Sequence, residues 1–319
     1  MRTGPGSLKI VTLTMNPSID LSTSVDRLQP FSKLRCAEPE REPGGGGINV
    51  ARVLKRFDCD VVAAYVAGGS EGAFLRQLVA RAGIKDFVIE TDEETREDVT
   101  VFERETGDQF RFVMPGPNLQ RTVWQEVLQK IGGLCSTGVL VASGSLPGGV
   151  PEDFYATVAH LARAAGVRLA LDASGVPLER ALKERPWLIK PNLKEFRELT
   201  GEPLETTAAQ AAAAQALIAE GKADVVALTL AEEGAMLATG EGVWVACPPK
   251  VKVVSTVGAG DSFLAILAME LMAGATPDAA LVRSVAAGSA ALLRPGTDLC
   301  WPEDVDRLAS GIVARKLQA

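Results

Sequence analysis

Gly258-Ala259-Gly260-Asp261 sets a tight glycine turn directly before a carboxylate, and an apolar helical run follows from Phe263 to Met272, ending at Gly274. Glycines leave backbone N–H groups uncovered, and a helix start adds the positive end of a dipole, so the turn suits an anion such as a phosphate. Asp261 at the mouth of that site has two readings. It is a base that takes a proton from an acceptor hydroxyl while the helix start holds a migrating phosphoryl group, or it is an ordinary N-cap aspartate. Alone, the cap is the simpler account, and the other candidate residues decide.

Pro43-Gly44-Gly45-Gly46-Gly47-Ile48-Asn49 is a second glycine turn, and Val50, Val53, Leu54 and Phe57 then follow helical spacing. Neither the GxxxxGK[ST] phosphate loop nor the GxGxxG dinucleotide fingerprint fits it, which argues against a Rossmann dehydrogenase. A third glycine-rich loop, Ser143-Gly144-Ser145-Leu146-Pro147-Gly148-Gly149, follows a buried apolar run. Asn192 and Glu195 stand three apart at a helix start and share one face. They hold the water shell of a phosphate-bridging Mg²⁺, or they cap the helix. Lys33 and Arg35 alternate, as two cations on one face of a strand would, and either grip a phosphate or decorate a solvated edge. Asp20 is expected in the loop past the first strand, as a ligand of sugar hydroxyls or as a turn residue.

The elements that must position these residues alternate between strand and helix. Expected strands are Leu8–Thr14, Val61–Val66, Phe87–Glu90, Gly138–Ala142, Val167–Leu171, Trp187–Lys190 and Ala223–Leu230, followed by a meander through Val245 and Val251–Val254. Expected helices are Ser70–Ala82, Trp124–Ile131, Pro151–Ala165, Thr206–Glu220 and one from Thr276 as N-cap and Pro277 to Leu293. Residues 21–43 read as short strands leaving the main sheet, joined by a hairpin of Val99–Glu103 and Gln109–Met114 in a small outlying sheet. The pattern is α/β: a mostly parallel central sheet with helices on both faces. Ligands of such sheets bind beyond the strand C-terminal ends. The loops 44–47, 144–149 and 258–260 and the carboxylates of Asp20, Glu195 and Asp261 therefore converge on one edge. An anionic, hydroxyl-bearing substrate and a nucleotide account for that convergence better than separate structural coincidences.

The 319 residues, 47% hydrophobic, can bury a sizeable core in one large domain. A net charge of −7 argues against a nucleic-acid binder. The five cysteines form no CxxC pair, and there is one histidine, His160, so a reduced compartment is expected and no zinc site. No run of about 18 apolar residues is present, and a cytoplasmic protein away from membranes is expected. Met1–Ser7 read as a frayed end or a remnant outside the fold.

Four ordered motifs carry a resemblance: Pro43 to Arg52, Gly144-Ser145-Leu146-Pro147, Lys190 to Glu195 and Thr256 to Phe263. Across residues 8 to about 308 the chain resembles the PfkB (ribokinase-type) carbohydrate kinase family. Lys33-Leu34-Arg35-Cys36, the uninterrupted Gly44–Gly47 and Arg111 to Gly116 resemble the minor 6-phosphofructokinase type; relatives acting on fructose 1-phosphate or tagatose 6-phosphate more often carry Lys in the glycine run, where this chain has Gly46. The resemblance implies one ribokinase-like three-layer sandwich over 1–319, with a β-lid from about 21–43 and 96–114 through which a homodimer forms. It implies that Asp261 deprotonates the C1 hydroxyl of fructose 6-phosphate for attack on ATP, with Gly258, Ala259 and Gly260 as the anion hole. Asp20, Gly45, Gly46 and Asn49 hold sugar hydroxyls. Lys33, Arg35, Arg96 and Ser145 hold the 6-phosphate, Arg96 reaching a neighbour's site. Lys190, Asn192, Thr229, Gly234, Gly258 and Gly260 bind the nucleotide, Glu195 meets Mg²⁺ through water, and K⁺ is admitted as a further ion. The implied alternatives are a kinase of fructose 1-phosphate or tagatose 6-phosphate and, in another class, a non-catalytic sugar- or nucleotide-binding regulator. The chain departs from the family's Gly-x-x-Gly at Ala231-Glu232-Glu233-Gly234, setting an alanine where a positive φ is wanted.

Overall fold

The computed structural model describes residues 9–134 and 138–318; Met1–Ser7, Leu8 and Cys135 lie outside them. The first half of the chain forms β1 (Ile10–Thr14), β2 (Ser18–Val25), β3 (Glu40–Gly44), α1 (Gly46–Arg56), β4 (Val61–Gly68), α2 (Gly69–Arg81), β5 (Lys85–Thr91), β6 (Arg96–Glu103), β7 (Gln109–Phe112) and α3 (Arg121–Leu134). Then come β8 (Val139–Ser143), α4 (Phe154–Ala164), β9 (Arg168–Asp172), α5 (Gly175–Ala181), β10 (Leu188–Ile189), α6 (Leu193–Thr200), α7 (Thr207–Ala219) and β11 (Val225–Thr229). The chain closes with β12 (Ala235–Thr239), β13 (Gly242–Ala246), α8 (Ala259–Met272), α9 (Pro277–Ala291), α10 (Pro302–Ala309) and β14 (Ala314–Lys316).

Ten strands form one sheet in the order β14-β13-β12-β11-β10-β9-β8-β1-β4-β5. The seven from β11 to β5 are parallel, and β12, β13 and β14 extend the edge antiparallel. The apolar runs of the sequence follow from burial on both faces. In β1, Ile10 enters the core shared with α1, α2, α8, α9 and α10, whereas Val11 and Leu13 enter the core shared with α3, α4, α5, α6 and α7. β8 repeats the alternation, Val139 and Val141 against Leu140 and Ala142. This is the three-layer α/β architecture expected. Truncating Leu13, fully buried, to Ala would cost about 2–5 kcal/mol.

A separate four-stranded sheet has the order β3-β2-β6-β7, with β2 parallel to β6 and β6 antiparallel to β7. The expected hairpin and its pairing with the earlier segment are both present. Four local expectations are corrected. Asp20 lies within strand β2, not in a loop, because the chain turns at Asn16 and Pro17 and pairs again from Ser18. Residues 26–39 form no strand, so Lys33 and Arg35 are in irregular chain. Val251–Val254 is irregular, and α4 starts at Phe154 with Pro151 to Asp153 as a preceding turn. Among the described residues no helix is long and apolar enough to cross a membrane.

Candidate active site

The parallel register brings the C-terminal ends of β1, β8 and β9 to one edge. Beyond it lies a cleft of about 290 Å³, walled by Asn16, the turn Gly45–Gly46, Ser143 to Ser145, Asp172 to Ser174, Glu195 and the start of α8. Arg96 and Arg111 reach its rim from the small sheet. A second cleft, of about 320 Å³, separates the small sheet from Val254, Pro295 and Gly296; its lining holds Glu38 and Glu40 and no cation, so it does not suit an anionic ligand.

The cap of α8 is Gly258, in the left-handed region at φ 77, where a Cβ would also lie 2.2 Å from Leu299. The first intrahelical bond runs from the Ser262 N–H to the Gly258 carbonyl, so the amides of Ala259, Gly260 and Asp261 precede it as helix-start donors. Asp261 is in the third helical position and is not the cap. Its Oδ2 accepts a hydrogen bond from Asn49 Nδ2 at 2.9 Å. Its Oδ1 lies over Gly46, where a Cβ would come within 3.2 Å of it and within 2.1 Å of Ser143 Oγ. Burial, then the Asp172 carboxylate and more weakly Asp20, push the Asp261 carboxyl up to about 6; Asn49 and Lys190 oppose the rise. The group is mostly ionised at neutral pH and close enough in pKa to accept a proton.

Asp20 does not line the cleft. Its side chain is buried behind Gly44, accepts from Ser18 Oγ at 2.7 Å, and is raised in pKa chiefly by burial. Asn16 Nδ2 donates to Ser145 Oγ at 3.1 Å, which places Ser145 at the mouth. The cations stand in different places. Lys33 and Arg35 are exposed and outside the cleft lining. Arg96 lines this chain's own cleft, held by Asp98 Oδ1 at 3.0 Å and by the carbonyls of Met114 and Asn16 at 3.0 and 3.2 Å. Arg111 stands beside it, 3.8 Å from Asp98 Oδ2 and 45% exposed, with much of its guanidinium free. Sequence reasoning named Arg111 only within a motif. Its signal was the hairpin register: Arg111 sits opposite Thr100, on the face shared by Arg96 and Asp98.

Asp172 was also missed, although it ends a buried strand. It binds Lys190 Nζ at 3.1 Å and accepts from Ser143 Oγ at 3.3 Å. Burial works against the Lys190 ammonium, but Asp172 holds its pKa above the ordinary value. Lys190 Nζ lies 3.4 Å from where a Gly260 side chain would begin, so the cation sits beside the helix start. Asn192 and Glu195 form a full capping box, each side chain bonded to the other's backbone N–H at 2.9 Å. Glu195 still lines the cleft. Thr229 bridges to Asn192, its N–H donating to Pro191 O at 3.1 Å. Gly234, at φ 100, closes the turn opened by Ala231 at φ 52. An alanine there costs about 1–2 kcal/mol, as the departure from Gly-x-x-Gly leads one to expect.

The model of the pfkB family of carbohydrate kinases matches residues 10–304. An ATP-dependent 6-phosphofructokinase isozyme 2 of Mycobacterium tuberculosis is 42% identical over 95% of this chain and 89% of its own. A 1-phosphofructokinase of Xanthomonas campestris is 36% identical over 96% and 98%. Crystal structures of Escherichia coli phosphofructokinase-2 superpose on 95% of this chain and 99% of theirs, with fructose-6-phosphate at a TM-score of 0.90 and 35% identity, and with potassium at 0.91 and 36%. With a helix-start anion site and a buried carboxylate at one sheet edge, and a match over nearly the whole chain, the protein belongs to the pfkB family of carbohydrate kinases.

Proposed function

We propose that the protein transfers the γ-phosphoryl group of ATP to the C1 hydroxyl of fructose 6-phosphate. The observation that carries this reading is that one cleft joins Asp261 and the α8 helix start to two arginines on the small sheet. Arg96 and Arg111 take the phosphate the sugar already carries, as a planar guanidinium pair suits. Asn16, Gly45, Gly46, Asn49 and Ser145 take the hydroxyls. Asp20 supports Gly44 from behind. Asp261 accepts the C1 hydroxyl proton as that oxygen bonds to the γ-phosphorus and the bond to the β-phosphate oxygen breaks, releasing ADP. The amides of Ala259 and Gly260, with Lys190, stabilise the migrating group's charge. Asn192, Thr229 and Gly234 form the nucleotide side.

Mg²⁺ fits this site as a companion of the nucleotide. Among the described residues no cluster of three His, Cys, Asp or Glu side chains forms a cage, and Mg²⁺ ordinarily binds by one or two carboxylates, phosphates and retained waters. Glu195, at the cleft wall, would hold it through water. Bound there, it neutralises phosphate charge. K⁺ is an accessory ion in this reading. The small sheet is the lid. Among the described residues its edges β3 and β7 pair with no further strand, and Phe102, Phe110 and Phe112 are exposed on it with Val113 and Met114 just beyond, which supports a homodimer through the lids.

A coupled ADP-release assay with Mg–ATP over a panel of sugar phosphates tests the reading. Fructose 6-phosphate should give the highest kcat/KM. A better rate with fructose 1-phosphate or tagatose 6-phosphate reassigns the substrate, and no turnover on any of them favours a non-catalytic binder.

A further inference from the structure

Arg52 has no part in the chemistry described so far, yet it is 7% exposed and donates three hydrogen bonds. Its Nη2 donates to Glu42 Oε1 at 2.6 Å. Its Nη1 donates to the carbonyl of Pro43 at 3.2 Å and to Asn49 Oδ1 at 3.3 Å. The other Glu42 oxygen accepts from the N–H and hydroxyl of Thr297, both at 2.8 Å. Arg52 and Asn49 are three apart on α1 and share one face.

We infer that Arg52 is a positioning residue for proton transfer, acting through Asn49 on Asp261. The chemistry of the groups forces the orientation. A guanidinium only donates, so the Asn49 atom facing it is the amide oxygen. The amide nitrogen therefore faces Asp261 and donates to Oδ2. That leaves Oδ1, over Gly46, to receive the proton from the acceptor hydroxyl. Without the guanidinium the carboxamide can flip and set its oxygen against the carboxylate, turning a hydrogen bond into a repulsion. Glu42 fixes the guanidinium in turn. It stands on β3, so the grip on Asn49 is anchored in the small sheet and in the loop carrying Thr297.

The inference rests on the reading of Asp261 as the base, and a double-mutant cycle separates the two. Arg52→Lys keeps the charge beside Glu42 and loses the fork that spans three acceptors. It should lower kcat about tenfold to a hundredfold, the scale of a displaced reacting group, and leave KM for ATP within about twofold. In an Asn49→Ala background the same change should alter kcat by less than about twofold, because the residue it acts through is gone. Glu42→Gln, which loosens the grip without removing Arg52, should show a smaller kcat loss that also vanishes in that background, and it decides the matter if Arg52→Lys does not fold. Full additivity, or a kcat of Arg52→Lys within about twofold of wild type, overturns the positioning role. An active Asp261→Asn enzyme sinks the base reading instead; an inactive one with an additive cycle sinks only the role of Arg52.

Discussion

Replacing Asp261 by Asn should stabilise the protein, and only above a definable pH. The Asp261 carboxyl rises from 3.8 to about 6 on folding, with burial the largest cause and Asp172 the next. The folded state thus holds this proton more tightly than the unfolded chain, and wild-type stability is lost as pH climbs from about 3.8 to about 6. At 1.36 kcal/mol per pKa unit, the ionised form is penalised by about 3 kcal/mol at pH 8, as an upper bound. Asn keeps the volume, carries no charge, and accepts the Asn49 N–H through its own oxygen. Urea unfolding of wild type and Asp261→Asn between pH 4 and pH 8 measures the difference. The variant should gain up to about 3 kcal/mol at pH 8, with the gain fading as pH falls through 6 and disappearing near 4. A difference that does not change with pH, or a variant less stable at pH 8, refutes the claim that Asp261 is strained by burial beside Asp172.

Other outcomes are expected. Arg111→Ala should raise KM for the sugar phosphate about tenfold or more with kcat less affected, because in the proposed reaction Arg111 meets a part of the substrate that does not react. Gly46→Ala should cost kcat at least about a hundredfold in the same assay, since its Cβ would sit 2.1 Å from Ser143 Oγ beside Asp261. Ala231→Gly should stabilise the chain by about 0.5–1 kcal/mol in chemical unfolding, relieving φ 52 against glycine's extra chain entropy. Phe112→Glu on the small sheet should shift a dimer toward monomer in light scattering, as exposed apolar strand surface is replaced by charge.

What the sequence revealed depended on which force shaped each segment. Strands β1, β8 and β9 were legible because burial on both faces demands an unbroken apolar run. The start of α8 was legible because only glycine suits φ 77 there. The strand reading of Lys33 and Arg35 failed because two alternating cations match a strand face in the absence of any strand. A pairing partner decides that, and residues 26–39 have almost none. β14, Ala314–Lys316, was invisible because it is short, charged and held by β13. Arg111 and Asp172 went unassigned for a related reason: each acquires its role from a neighbour distant in sequence, Arg96 through the hairpin register and Lys190 across the strand ends.

In the proposed reaction Asp261 takes the acceptor proton during phosphoryl transfer. The most direct test of that step is kcat/KM for fructose 6-phosphate from pH 5 to pH 9, for wild type and Asp261→Asn. Wild type should lose activity as pH falls through about 6, where the carboxylate protonates, and Asp261→Asn should be lower by about 10²–10⁴ with that limb abolished. An Asp261→Asn enzyme with near wild-type kcat/KM, or one that keeps the same acid limb, would rule out Asp261 as the base.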